Sequence, residues 1–297
     1  MTDTLALSSG EARLEVAPAV GGAIARFTWQ DRPVMRPASS EALGAGDVRA
    51  CACYPLVPYS NRIRDATLRF EGRTYALARN FGSHPHSIHG VGWQRPWQVR
   101  ARSAEAVQLA LAHEASRNPA GWPWSFEAWH TMRLSTRDGG GVTLSATLCI
   151  ASRSDTPFPF GLGWHPFFPK DADTMLRFGA RGMWRNDATQ LPVALEPVAS
   201  DPGTERLRGR VLDNLFTGWD GCARLTSGAR DVMSEADRAC AYVVVYAPEG
   251  RGFVAIEPVT HETDAFNRAA DGEHGTGMRV LGPGESFSCT MRLTLAP

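Results

Sequence analysis

Two stretches of the chain gather side chains able to do chemistry. The first opens at Tyr54, runs through Pro58-Tyr59-Ser60-Asn61-Arg62-Ile63 to Arg64, and continues with Asn80, His84, His86, His89, Gly90, Gly92 and Trp93. The second holds Gly161, Gly163, Trp164, His165, Pro166, Phe167 and Phe168, then Glu257, Pro258, Thr260, Asp264, Phe266 and Asn267. Aromatic faces beside fixed donors and acceptors suit a sugar, whose C–H faces meet the rings while its hydroxyls meet the polar groups. Glu257 and His165 are also the residue types of a general base and a general acid.

Rival chemistries fare less well on the same residues. His84, His86 and His89 form H-x-H-x-x-H, and on a strand the first two would share a face as metal ligands do. A cupin-type site would also want a glutamate soon after, and residues 87–93 carry no carboxylate, so structural histidines beside a substrate-facing one are the better expectation. No G-x-S-x-G occurs, which removes the serine-hydrolase elbow. Gly90-Val91-Gly92 and Gly161-Leu162-Gly163 begin like dinucleotide fingerprints but lack the third glycine and a following helix pattern, so they read as backbone turns. Lys170 is the only lysine, which leaves one candidate for Schiff-base or pyridoxal chemistry.

The elements that must position these residues read as strands. Val142, Leu144, Ala146, Leu148 and Ile150 alternate with Thr143, Ser145 and Thr147, and Phe287, Cys289, Met291, Leu293 and Leu295 repeat the pattern. Residues 107–112 and 126–134 alternate less cleanly, and short β-prone runs at 23–29, 97–101, 242–246 and 253–256 fill the gaps. Turns at 30–32, 71–73, 138–140 and 283–285 read as hairpin connections. With 29 Gly and 20 Pro, the best helical window is 232–240, and 37–46 and 263–276 read as long loops. The expectation is an all-β, mostly antiparallel protein with residues 1–297 in a single domain.

Composition sets the outer limits. The 297 residues are 43% hydrophobic and 21% charged, with Lys+Arg and Asp+Glu both 31. That is ordinary globular composition with no net field to gather nucleic acid or an anionic membrane. The first ten residues lack the basic and apolar regions of a secretory signal, and no apolar run approaches membrane-spanning length. Six cysteines without C-x-x-C spacing read as reduced thiols, so the expectation is a cytoplasmic protein.

Taken in order, the two stretches resemble the aldose 1-epimerase (galactose mutarotase) family. Val16-Ala17-Pro18 with Gly21, Gly22, Ile24 and Trp29 resembles its opening strand pair, and Leu281-Gly282-Pro283-Gly284-Glu285 its closing turn. More specific are Pro58 to Ile63, Asn80, Ile88-His89-Gly90, His165-Pro166-Phe167-Phe168, Glu257-Pro258 and Asp264-Ala265-Phe266-Asn267. The resemblance implies a large antiparallel β-supersandwich, a free monosaccharide as substrate, and interconversion of its α and β anomers without cofactor. It implies Glu257 as base and His165 as acid, with Arg62 and His89 on sugar oxygens, Asn61 positioning Arg62, and Asp213 binding a hydroxyl. A carboxylate beside a histidine favours Glu⁻ with His⁺ at rest.

This chain departs from well-known hexose mutarotases around the first histidine and the glutamate. A branch acting on hexose 6-phosphates is a related possibility, for which Arg26, Arg36, Arg64 or Arg95 could supply a phosphate site. A non-catalytic sugar-binding module and a glycoside hydrolase or lyase using Glu257 with Asp213 are the other classes. The presence of both an acid and a base favours the epimerase.

Overall fold

The computed structural model describes residues 3–198, 205–228 and 230–296. The alternating segments form the centre of a nine-stranded sheet, in which Val142–Ser152 lies between Phe126–Thr136 and Ser286–Leu295. Its apolar positions Val142, Leu144, Ala146, Leu148 and Ile150 are all buried, while Thr143, Ser145 and Thr147 are half-buried. Period-2 patterning thus fixes which face turns inward. A second large sheet carries Pro192–Pro197, Gly182–Asn186, Leu212–Thr217, Tyr242–Ala247, Phe253–Val259, Gly163–Trp164 and Pro55–Leu56 in that order, with Phe167–Pro169 also paired to Phe253–Val259. The ladders of both sheets are antiparallel, and the fold is nearly all β.

The two faces of the second sheet have different work. Val243, Val245, Val254 and Ile256 join Leu144, Leu148 and Met291 in one apolar cluster. Tyr242, Val244, Ala255 and Val259 belong to a second cluster with Leu56, Ile88, Trp93 and Phe167. Glu257 shares parity with Ala255 and Val259, so alternation turns its carboxylate away from the main core, toward the segments that cover the second face. Asp213, two residues before Leu215 of that same cluster, points the same way.

Three expectations need correction. Residues 232–240 are not helical: Arg230–Ala236 is a strand between Cys222–Ser227 and Ser286–Leu295, with Val232 and Ser234 buried. Two-sided pairing overrides a weak helical pattern. Residues 37–46 and 263–276 are not wholly loop, since they contain the helices Ser40–Gly44 and Ala265–Ala270. The turn at 283–285 is no hairpin: the strand before it, Arg279–Leu281, pairs with Phe158–Phe160, whereas Ser286–Leu295 pairs with Val142–Ser152. The turns at 30–32, 71–73 and 138–140 do connect paired strands. Among the described residues, no helix is long and apolar enough to cross a membrane.

Candidate active site

A cleft of about 510 Å³ opens on the second face of that sheet, and Asn61, Arg62, His89, His165, Asp213 and Glu257 all line it. At its base His165 Nε2 lies 3.2 Å from Glu257 Oε1. Pro166 has no N–H for a ladder, and the chain breaks between Gly163–Trp164 and Phe167–Pro169. Backbone bonds from His165 N to Tyr54 O (3.0 Å) and from Phe167 N to Ala52 O (2.8 Å) clamp the break. The His165 ring stacks on Phe167, with centroids 4.4 Å apart, and packs against Tyr54, 4.8 Å away.

The other wall is built by Asn61 and His89 gripping each other. His89 N donates to Asn61 O at 2.9 Å, and Asn61 N donates to His89 Nδ1 at 3.0 Å. Nδ1 is therefore an acceptor, the ring proton sits on Nε2, and His89 is a donor. Both residues have left-handed backbones, with φ of 55° and 59°, a strain typical of functional sites. The loop can fold so tightly because Gly90, at φ 70°, has no side chain: a Cβ there would lie 2.4 Å from Val57 O. Asn80 ties the loop down through both Ile88 N and Ile88 O, and through Gly90 O. Arg62 Nη1 donates to Asn61 Oδ1 at 2.9 Å, while its Nε is buried with no partner among the described residues. Arg64, one residue beyond Ile63, instead pairs with Asp264.

Burial sets the electrostatics of the acid–base pair. Glu257 is 3% exposed, and desolvation, reinforced by Asp213 and opposed by Arg62, lifts it well above the ordinary carboxylate range. Desolvation, with the Arg36 and Arg62 charges, pushes His165 down to about 3. The charged Glu⁻ and His⁺ resting pair expected from sequence is thus corrected to a neutral one. A dry site disfavours two separated charges, so one proton is held along the 3.2 Å contact, on the glutamate side. Asp213 is also raised by burial, against the Arg62 charge. Burial drives His89 well below 6.5 and keeps it neutral.

The remaining motif residues have structural positions. His86 Nδ1 accepts from Asp65 N and His84 Nδ1 from His86 N. Among the described residues no group of three or more His, Cys, Asp or Glu is arranged to hold a metal ion. Trp164 is fully buried core, whereas Trp93 lines the cleft. Of the arginines considered for phosphate, Arg36 lines the cleft, while Arg26, Arg64 and Arg95 are not among its lining residues. Gly161 faces His261, where a Cβ would come within 1.8 Å of the ring. Sequence reasoning gave no role to Arg49, Tyr54, Tyr246 or Arg251, which also line the cleft. Only Tyr54 stood inside a chemistry-bearing stretch.

The chain is similar to known proteins over nearly its whole length. The profile of the aldose 1-epimerase family matches residues 3–294. The uncharacterized protein YphB of Escherichia coli (strain K12) is 30% identical over 305 residues, covering 97% of each chain. The crystal structure of an Escherichia coli K12 protein provisionally classed as an aldose 1-epimerase superposes with a TM-score of 0.87 at 26% identity, covering 99% of both chains. A galactose mutarotase-like protein from Clostridium acetobutylicum shares the fold, with a TM-score of 0.84 at 18% identity over 99% of this chain and 95% of its own. A profile match over nearly the whole sequence, together with a relative of equal length, places the chain: it belongs to the aldose 1-epimerase family.

Proposed function

We propose that the protein is a mutarotase, an isomerase that interconverts the α and β anomers of a free aldose with no cofactor, and that residues 1–297 act as one domain in the cytoplasm. The observation that carries this reading is the buried contact between Glu257 and His165 at the base of a polar, aromatic-lined cleft. Ring opening removes the proton of the C1 hydroxyl and protonates the ring oxygen. Glu257 takes the first proton and His165 delivers the second, from the tautomer in which the shared proton has moved to His165. The pair therefore holds one proton before and after the step, and no electrons are exchanged. The free aldehyde turns about C1–C2, and the reverse transfers close the ring on its other face. Arg62 and the His89 Nε2–H donate to sugar oxygens, Asp213 accepts from a hydroxyl, and Asn61 holds Arg62 in place.

A second reading keeps the chemistry and changes the substrate. Arg36, Arg49 and Arg251 also line the cleft, and guanidinium groups suit a phosphate ester. Polarimetry or NMR of freshly dissolved α-D-galactose, α-D-glucose, L-arabinose and α-D-glucose 6-phosphate, after dialysis against EDTA, tests both. Faster equilibration of the neutral sugars supports the first reading, and acceleration confined to the phosphate supports the second. Release of reducing sugar from an oligosaccharide would favour a hydrolase, and binding without acceleration an idle module.

A further inference from the structure

Tyr54 stands apart from the other buried tyrosines. Tyr59 shares a 2.7 Å hydrogen bond with Ser87 Oγ, and the Tyr242 hydroxyl donates to Gly275 O. Tyr54 is 3% exposed, yet its hydroxyl has no hydrogen bond to any described residue. That oxygen is not one of the buried atoms left without a partner among the described residues, so it reaches the open space of the cleft that Tyr54 lines. The ring is fixed from several sides: Trp93 stacks 5.8 Å away at 29°, His165 lies 4.8 Å away, and His89 meets it edge-on at 6.3 Å. The backbone is fixed as well, by the bond from His165 N to Tyr54 O. Rigid rings thus hold an unspent hydroxyl in the wall of the cleft, beside the histidine that contacts Glu257.

We propose that Tyr54 contacts the substrate, its hydroxyl hydrogen-bonding the anomeric oxygen of the aldose. The inference rests on the mutarotase reading. The polar groups around it have fixed senses: Arg62 and His89 Nε2 donate, and ionised Asp213 accepts. A phenol does either, which suits an oxygen that is a hydroxyl in both anomers and a carbonyl in between. Burial pushes the Tyr54 phenol well above its usual range, so it keeps its O–H throughout.

Tyr54→Phe keeps every ring contact and removes only the hydroxyl, so the melting temperature should not change. Affinity for D-galactose, read by calorimetry, should fall about tenfold, as expected when a buried polar group of the ligand loses its partner. Affinity for 1,5-anhydro-D-galactitol, which lacks the anomeric oxygen, should be the same in variant and wild type. Equal weakening of both ligands, or no weakening of either, would overturn the assignment. Failure of the wild-type protein to bind or equilibrate any aldose would instead remove the mutarotase reading beneath it.

Discussion

Acid should destabilise this protein before its exposed carboxylates titrate, because several histidines are buried in forms that cannot take a second proton. His130 Nδ1 donates to Gly22 O at 3.2 Å, and Nε2 accepts from Trp164 Nε1 at 3.3 Å. His261 Nδ1 donates to Glu262 O at 2.7 Å, and Nε2 accepts from Ser60 N at 3.0 Å. A proton on either Nε2 would set two donors against each other in a dry interior, and burial holds both residues at about 4. Below pH 6.5 the unfolded chain binds these protons and the native state does not, so stability is lost as pH falls. From pH 6.5 to pH 5 the loss is roughly 1.5 kcal/mol for each of His130 and His261, and the depression of His89 acts in the same direction. Glu257 and His165 nearly cancel, since the native pair keeps one proton and the unfolded pair also holds about one across this range. Asp213 and Asp264, raised by burial, bind protons first in the native state and return part of the loss. Urea unfolding followed by tryptophan fluorescence at each pH measures this directly. In His130→Asn the average slope over this range should drop by about 1 kcal/mol per pH unit. A midpoint that stays level or rises between pH 6.5 and pH 5 would refute the reasoning.

Other consequences concern turnover. Glu257→Gln and His165→Asn should each lower kcat by about 10²-fold or more with the fold intact, and near-normal turnover in either would remove that residue from the mechanism. Arg62→Ala should raise KM strongly and kcat little, because sugar hydroxyls carry similar charge before and during ring opening; a fall in kcat at constant KM would reassign Arg62 to the proton transfer. The pH profile of kcat/KM should stay flat from pH 6.5 to pH 5, because His165, depressed to about 3, adds no second proton to the pair there. An acid limb near pH 6.5 in initial rates would show that the histidine titrates normally.

What could be read from the sequence is what depends on neighbours along the chain. Alternation at 142–150 and 287–295 marked the central strands, because one sheet face is dry and the other is not. Parity alone sets Glu257 opposite to Ile256. The strand Arg230–Ala236 was obscured because its inward positions include Ser234, so hydrophobicity does not alternate where burial does. The site is less accessible to such reasoning, since its contacts join residues far apart in sequence: Ser60 bonds His261 across 201 positions. The resting state of Glu257 and His165 is the clearest case. Proximity alone argues for an ion pair, because opposite charges at 3.2 Å attract. Desolvation argues against it, and desolvation is set by how completely Tyr54, Phe167 and the strands on either side close over the pair. In an enclosure this dry the second term wins. The same packing leaves Arg62 Nε without a partner among the described residues, a feature no pattern along the chain records although Arg62 itself stood in one of the two chemistry-bearing stretches.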